Sequence, residues 1–285
     1  MRIHPRGILA WVGPCLGVAA YFLIKKNPIA EAEVKPPLPD ESLLCNVGSA
    51  CSSEFSASNW TEALLWPEVD DDTRKERIEC ERGRLGLNKN QPKLVPKFTV
   101  LGYEKMRTPE GIFGAILDWY KPILKKGESV RENWRRDNTY VNHWKVDTKM
   151  VHVPPKLKKR IFSEMQGLLE SWAGVTLSPT ALYGVRHYYR GSVLATHVDR
   201  VETHVISAII NVAQEVDRDW VLFVRGHDGL DNEIIMEPGD MVLYESASVI
   251  HGRPTALEGD MFANLFLHYA PSTGWDIKSS SIPRS

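Results

Sequence analysis

The sequence has no long run of basic residues, no internal repeat and no closely spaced cysteine pair of the kind that holds zinc. Lys and Arg number 35 against 36 Asp and Glu, a formal net charge of -1. Nothing in that balance draws the chain to nucleic acid, and none is expected as a partner. Cysteine is scarce: Cys15, Cys45, Cys51 and Cys80 are the only four. That is too few for a disulfide scaffold, and the spacing matches no structural metal site. A chain of 285 residues, 43% apolar and 25% charged, has no need of such staples. Its length suits one sizeable domain with appendages.

Charge is also missing from residues 7–24, GILAWVGPCLGVAAYFLI. As a helix this run is about 27 Å long, close to the ~30 Å hydrocarbon core of a bilayer. Trp11 and Tyr21 suit the interfaces, Pro14 implies a kink, and Lys25 and Lys26 end the run. The expectation is an uncleaved signal anchor in residues 1–26. It makes a single-pass type II protein, with a cytoplasmic tip and the remainder in the lumen of the endoplasmic reticulum or Golgi. Cleavage after Val18, Ala19 and Ala20 is the competing reading, and it would release a secreted protein. Residues 27–92 are expected to be a stalk or linker, partly disordered. PIAEAEVKPPLPDES reads as extended, and the dense charges of 69–85 as a short solvated helix or a disordered stretch. In an oxidising lumen Cys45 and Cys51 can close a small loop, leaving Cys80 unpaired; free thiols in a flexible stalk are the alternative. Asn59, Trp60 and Thr61 form a glycosylation sequon.

Residues 93–275 are expected to be the folded domain, with 276–285 as a tail. A strand is expected over 98–101. Thr108 and Pro109 read as the N-cap and first position of a helix whose stripe is Ile112, Ile116, Trp119, Tyr120 and Ile123. A second helix starts at Pro155, carries Leu157, Ile161, Met165, Leu168, Leu169 and Trp172 at helical spacing, and stops at Gly174. From Ala181 the pattern changes to short β-rich runs over 185–189, 204–212, 220–224, 233–236, 241–244 and 262–269. Asp228 and Gly229 mark a hairpin turn. The class is α+β: a β-sandwich or barrel, two helices packed on one sheet, and a single transmembrane helix ahead of them.

The β-rich part contains Ala195-Thr196-His197-Val198-Asp199. Residues two apart in a strand share a face, so His197 and Asp199 can project together. A second imidazole, His251, follows a later strand. Two histidines and one carboxylate on one face of an octahedral ion leave positions free, which is the ligand set of non-haem Fe(II) oxygenases. With these residues, Arg186 through Tyr189, Glu237 through Tyr244 and Ile250 through Pro254 resemble the double-stranded β-helix (jelly-roll) core of prolyl-4-hydroxylase-like Fe(II)/2-oxoglutarate-dependent dioxygenases. The resemblance spans about 181–271. It implies His197, Asp199 and His251 as catalytic iron ligands, 2-oxoglutarate and O2 as cosubstrates, and ascorbate as the agent that restores over-oxidised iron. It also places Tyr189 beside the 2-oxoglutarate.

One departure concerns the distal carboxylate of 2-oxoglutarate. The family usually meets it with a Lys or Arg about ten residues after the second histidine. Here that stretch, from Glu258 to Asn264, holds no basic residue. A buried carboxylate needs a cation or several donors. Arg253 is the nearest candidate, with Arg200, Arg186 and Arg190 behind it. His187, His204 and His268 read as core or face histidines, Asn142, His143 and Trp144 as local packing or a substrate entrance, and Trp220 and Phe223 as filling between sheets. The expected activity is hydroxylation of a C–H bond in a protein side chain, prolyl-type, or in a small molecule, with release of succinate and CO2. The alternative is a non-catalytic, membrane-tethered β-barrel serving as a binding or scaffold protein. Topology has a direct check. Deglycosylation is expected to shift the wild-type protein on a gel and to leave an Asn59→Gln variant unshifted.

Overall fold

The computed structural model describes residues 69–284. The expected anchor at 7–24, most of the stalk, the sequon at Asn59 and Cys15, Cys45 and Cys51 lie outside the described residues. No helix among those described is long and apolar enough to cross a membrane.

The first element is helix α1, Asp71–Leu94. Asp70 caps it by accepting a 2.8 Å bond from the Thr73 amide, and Asp71 and Asp72 complement the positive end. Arg77, Glu81, Arg84, Asn88 and Gln91 recur every three or four residues and are all buried. Residues 71–94 are therefore a helix docked by one face rather than stalk, and the folded part begins near residue 70 rather than 93. The charges misled because their partners are backbone groups of the barrel instead of water. Cys80, which a Cys45–Cys51 loop would leave unpaired, is buried and disulfide-bonded.

The chain then runs through β1 (Tyr103–Arg107), α2 (Glu110–Lys126), β2 (Val130–Arg131), β3 (Lys149–His152) and α3 (Pro155–Ala173). It continues with β4 (Leu177–Tyr188), β5 (Leu194–His197), β6 (Ile206–Val216), β7 (Leu222–Arg225) and β8 (Asp231–Ile234). β9 (Asp240–Tyr244), β10 (Ile250–Arg253) and β11 (Gly259–Pro271) complete the strands. All pairings are antiparallel. One sheet of seven strands has the order β1-β9-β6-β11-β4-β3-β2, and a sheet of four has the order β5-β10-β7-β8.

No strand forms over 98–101. The amides of Phe98 and Thr99 donate instead to the buried Glu245 carboxylate, at 2.9 and 2.6 Å. Gly102, at φ 79°, then turns the chain into β1. α2 starts one residue later than expected, because the Thr108 amide is taken by the Gly239 carbonyl at 2.9 Å. α3 begins at Pro155 and ends at left-handed Gly174, as its sequence signals require. The strands β2, β3, β5 and β10, four residues or fewer each, carried too little periodicity to be read.

Both faces of the large sheet are buried, which explains why 204–212 reads as a continuous apolar run. Ala208, Ile210 and Val212 of β6 face outward to Ile112, Ile116 and Tyr120 of α2 and Ile161, Met165 and Leu169 of α3. Between them Ile209 faces inward, with Val242 and Tyr244, onto Leu222, Val224 and Ile234 of the small sheet. Trp220 joins this inner layer as expected. Phe223 does not: it lies on the opposite face of the small sheet, with Val198, Ile250 and Leu87 of α1. The tail is fixed as well. Trp275 donates to the Val201 carbonyl at 2.7 Å, Ser279 binds Glu202, and Ile282 is buried.

Behind the large sheet, His187 is buried and bonded to Tyr120 Oη at 2.8 Å. Burial, then the nearby Lys149 charge, pushes its pKa down to about 4. An unfolded histidine titrates near 6.5, so the unfolded chain binds this proton first. The stability contributed is full above pH ~6.5 and is lost as pH falls toward 4. A His187→Gln variant is expected to lose on the order of 2 kcal/mol less stability than wild type over that interval, measured by urea unfolding at both pH values.

Candidate metal centre

His197 ends β5 and His251 lies on β10, directly opposite in the antiparallel register. Cross-strand partners share a face, and their ring centroids are 4.5 Å apart. Each ring is oriented in the same way. His197 Nδ1 lies 2.7 Å from the Ala195 carbonyl oxygen, and His251 Nδ1 lies 2.9 Å from that of Val249. A carbonyl only accepts, so both Nδ1 atoms carry the hydrogen. Both Nε2 atoms keep their lone pairs, the tautomer a metal ligand needs.

Asp199 follows β5 by two residues, and its amide donates to the Ser246 carbonyl at 2.7 Å. Oδ1 stands 3.5 Å from His197 Nε2, and Oδ2 stands 3.9 Å from His251 Nε2. One ligand atom from each of the three residues lies within 4.8 Å of the others. Asp199 Oδ2 is buried with no hydrogen-bond partner. A bare carboxylate oxygen out of water is costly unless a cation or donor meets it. Two imidazole Nε2 atoms and a carboxylate with an orphaned oxygen fit a divalent cation, and the mixed N and O set with positions to spare suits Fe(II).

His268 Nδ1 is 3.8 Å from Asp199 Oδ2 but is bonded to Ser207 Oγ at 2.7 Å, and the His204 ring lies against it at 3.9 Å. Both histidines border the cavity, a placement their strand context did not reveal. Burial alone would raise the Asp199 carboxyl. Its contact with His197 and the fields of His251, His268 and His204 outweigh burial and hold it well below the usual carboxylate range. Burial, reinforced by His197, pushes His251 down to about 4. The carboxylate is thus ionised and that imidazole neutral at physiological pH.

The trio opens into a cavity of about 520 Å³, bordered also by Tyr140, Tyr188, Arg253 and Asn264. Arg253 shares the His251 face of β10. It is 1% exposed, donates to the Trp220 carbonyl and to Met236 Sδ, and lies between the faces of Trp220 and Phe262 at 4.9 and 4.4 Å. No carboxylate pairs with it among the described residues, and burial pushes its pKa down to about 9. The other arginines differ. Arg186 borders the cavity but is held by Glu132 at 2.7 and 2.9 Å. Arg190 is on the surface, spanning Asp217 and Asp260. Arg200 borders the cavity near Tyr183 and His204.

Tyr189 is not at the cavity. Its hydroxyl is 3.4 Å from His187 Nδ1, on the helix-facing side of the large sheet. Tyr188 faces the cavity instead, fully buried and 5.0 Å from the Trp220 ring. Period-two parity from Arg186, two residues earlier, was the available signal. Asn142 is a packing residue, bonded to the Gly191 carbonyl and the Val193 amide at 2.8 Å each.

Family models and curated proteins give no match to the chain. Solved structures do. Many are prolyl-4-hydroxylase-like 2-oxoglutarate–Fe(II) oxygenases. A prolyl-4-hydroxylase from Pseudomonas putida is 13% identical with a TM-score of 0.42, covering 60% of this chain and 93% of that one. A Trichoplax adhaerens prolyl hydroxylase, bound to a peptide fragment of hypoxia inducible factor, is 11% identical with a TM-score of 0.45, covering 72% and 94%. HygX from Streptomyces hygroscopicus, with nickel and 2-oxoglutarate bound, is 12% identical at 0.45, covering 62% and 85%. At this distance the chemistry rests on the site's own geometry.

If Asp199 serves a cation, its removal should weaken metal binding without unfolding the protein. Asp199→Asn is expected to lower Co(II) affinity by about 10–100-fold, read by anaerobic absorption titration. The melting temperature of the metal-free protein should not fall.

Proposed function

We propose that the chain is an Fe(II)- and 2-oxoglutarate-dependent oxygenase, built on a double-stranded β-helix (jelly-roll) core, that hydroxylates a C–H bond. The observation that carries this reading is the convergence of two uncapped Nε2 atoms and the bare Asp199 Oδ2 in one cavity. The imidazoles cannot turn away, because their Nδ1 hydrogens are committed to Ala195 and Val249. When bound, ferrous iron would supply the activation of dioxygen.

Arg253 provides the second half. A guanidinium sealed among aromatic rings, without an acidic partner, suits the distal carboxylate of a 2-oxo acid, which it can grip with two parallel bonds. Tyr188 and Asn264, whose Oδ1 is buried without a partner, border the same space. The wall of rings and sheet excludes water from the carboxylate once it is seated. The balanced reaction takes substrate, O2 and 2-oxoglutarate to hydroxylated product, succinate and CO2. The substrate class in this reading is a protein side chain, prolyl-type, or a small molecule. The apolar 7–24 segment and the sequon at Asn59 further suggest a membrane-anchored protein with its site in the lumen.

Mixing the protein anaerobically with Fe(II) and 2-oxoglutarate is expected to give a weak visible charge-transfer band. Arg253→Gln should raise the 2-oxoglutarate concentration for half-maximal absorbance by tenfold or more, the scale of a lost buried charge pair. In air, with ascorbate present, succinate should form. A flat spectrum would favour the scaffold alternative, and an unchanged 2-oxoglutarate titration in Arg253→Gln would remove Arg253 from the site.

A further inference from the structure

β5, which carries His197, is an edge strand of the small sheet. An edge leaves backbone N–H and C=O groups unpaired, and such groups must be covered. The Tyr140–Asn142 backbone covers its first half, with the Ala195 amide donating to the Tyr140 carbonyl at 2.8 Å, and from Thr196 onward the cover is the polar face of helix α1. Asn88 meets the peptide groups on either side of His197. Its Nδ2 donates to the Thr196 carbonyl at 2.9 Å, and its Oδ1 accepts from the Val198 amide at 3.0 Å. One side chain thus reproduces the two bonds a neighbouring strand would make. Arg84, paired with the fully buried Glu81, also donates to the Thr196 carbonyl.

One turn further along, Gln91 spends both hydrogens of its amide on two carbonyls. One belongs to Asp199 at 2.7 Å, the other to Ala247 at 2.8 Å, in the turn that leads into His251. Gln91 is 1% exposed and borders the cavity. The spacing of 84, 88 and 91 puts all three side chains on one helix face. We infer that Asn88 and Gln91 are positioning residues for the metal centre. They clamp the His197–Asp199 segment and tie it to the His251 turn, so that helix α1 sets the spacing of the three ligands. The inference rests on the metal centre proposed above. It assigns to a segment outside the β-rich core a share in the site's geometry.

The physical reason is rigidity. Ligand atoms drawn from two separate segments keep a fixed separation only if those segments are fixed to each other. The His251–His197 register does this on one side, and the Gln91 amide does it on the other. Losing either leaves ligand identity intact and relaxes ligand spacing, an effect of the size seen for outer-shell changes at metal sites.

The test uses the whole chain and Co(II) as probe, with melting temperature followed in parallel. Gln91→Met keeps length and removes both donors; Asn88→Leu keeps shape and removes both bonds. Each is expected to raise the Co(II) dissociation constant by about tenfold or more and to change the shape of the ligand-field absorption. Arg77→Met is the control. Arg77 lies on the same face, but its bond goes to the Arg136 carbonyl at 2.9 Å, away from the ligands. It should lower the melting temperature while leaving Co(II) affinity and spectrum unchanged. Should Gln91→Met fail to fold, Gln91→Asn, which shortens the donor by one methylene, carries the same expectation. Wild-type affinity and spectrum in the Gln91 and Asn88 variants would overturn the inference, as would an equal loss in Arg77→Met. A wild-type protein that gives no Co(II) spectrum would sink the metal centre itself, a different and separately visible failure.

Discussion

Asp199 Oδ2 is buried among imidazoles with nothing to accept from, and much of the structure around it follows from that fact. A carboxylate so placed is tolerable only beside positive charge. The rings of His204, His251 and His268 cannot supply it cheaply, because burial disfavours their charged forms and holds all three below the ordinary histidine range. The structure therefore presents an anion whose natural partner is a cation from outside. The committed Nδ1 hydrogens of His197 and His251 point to the same conclusion from the nitrogen side.

Arg253 is the mirror image of Asp199. It is a buried cation with no carboxylate partner among the described residues, in the same cavity, and the two charges do not pair with each other. Had the fold needed only stability, bringing them together or replacing both with apolar residues would have served better. Kept apart, they put a bare anion at one end of the cavity and a bare cation at the other, as the proposed function requires. A bulge where β10 meets β5 accompanies this arrangement, with His251 opposite His197 and Arg253 opposite Leu194. His251 and Arg253 remain two apart on one strand face, so both side chains reach the same cavity.

The His-x-Asp step and an arginine two residues after His251 were legible in the sequence because they are local spacings, and the structure places all four residues on one cavity. So were the two amphipathic helices, whose stripes match the buried faces of α2 and α3 residue for residue at Ile112, Ile116, Ile161, Met165 and Leu169. Tyr189 was misplaced by one position, enough in a strand to send a side chain to the opposite face. Tyr188 takes the cavity side. His204 and His268 both read as strand histidines, yet His204 lies in the turn ahead of β6 and only His268 is in a strand, and nothing local showed that both would border the cavity beside Asp199. The greatest error concerned 71–94, where a buried polar face resembled a solvated one because hydropathy cannot tell which partner a polar side chain will find.

The sequence by itself determined what is periodic or adjacent: the helix stripes, the end of α3 at Gly174, the His-x-Asp step and the arginine two residues past the second histidine. Only the tertiary structure decided what depends on pairing between distant segments. The His197–His251 register, the burial of Arg253 between Trp220 and Phe262, and the docking of Asn88 and Gln91 onto the ligand-bearing backbone are of this kind. Local sequence fixes the direction in which a side chain leaves its element. What it meets there is set by strand order and sheet packing, and those are properties of the whole chain.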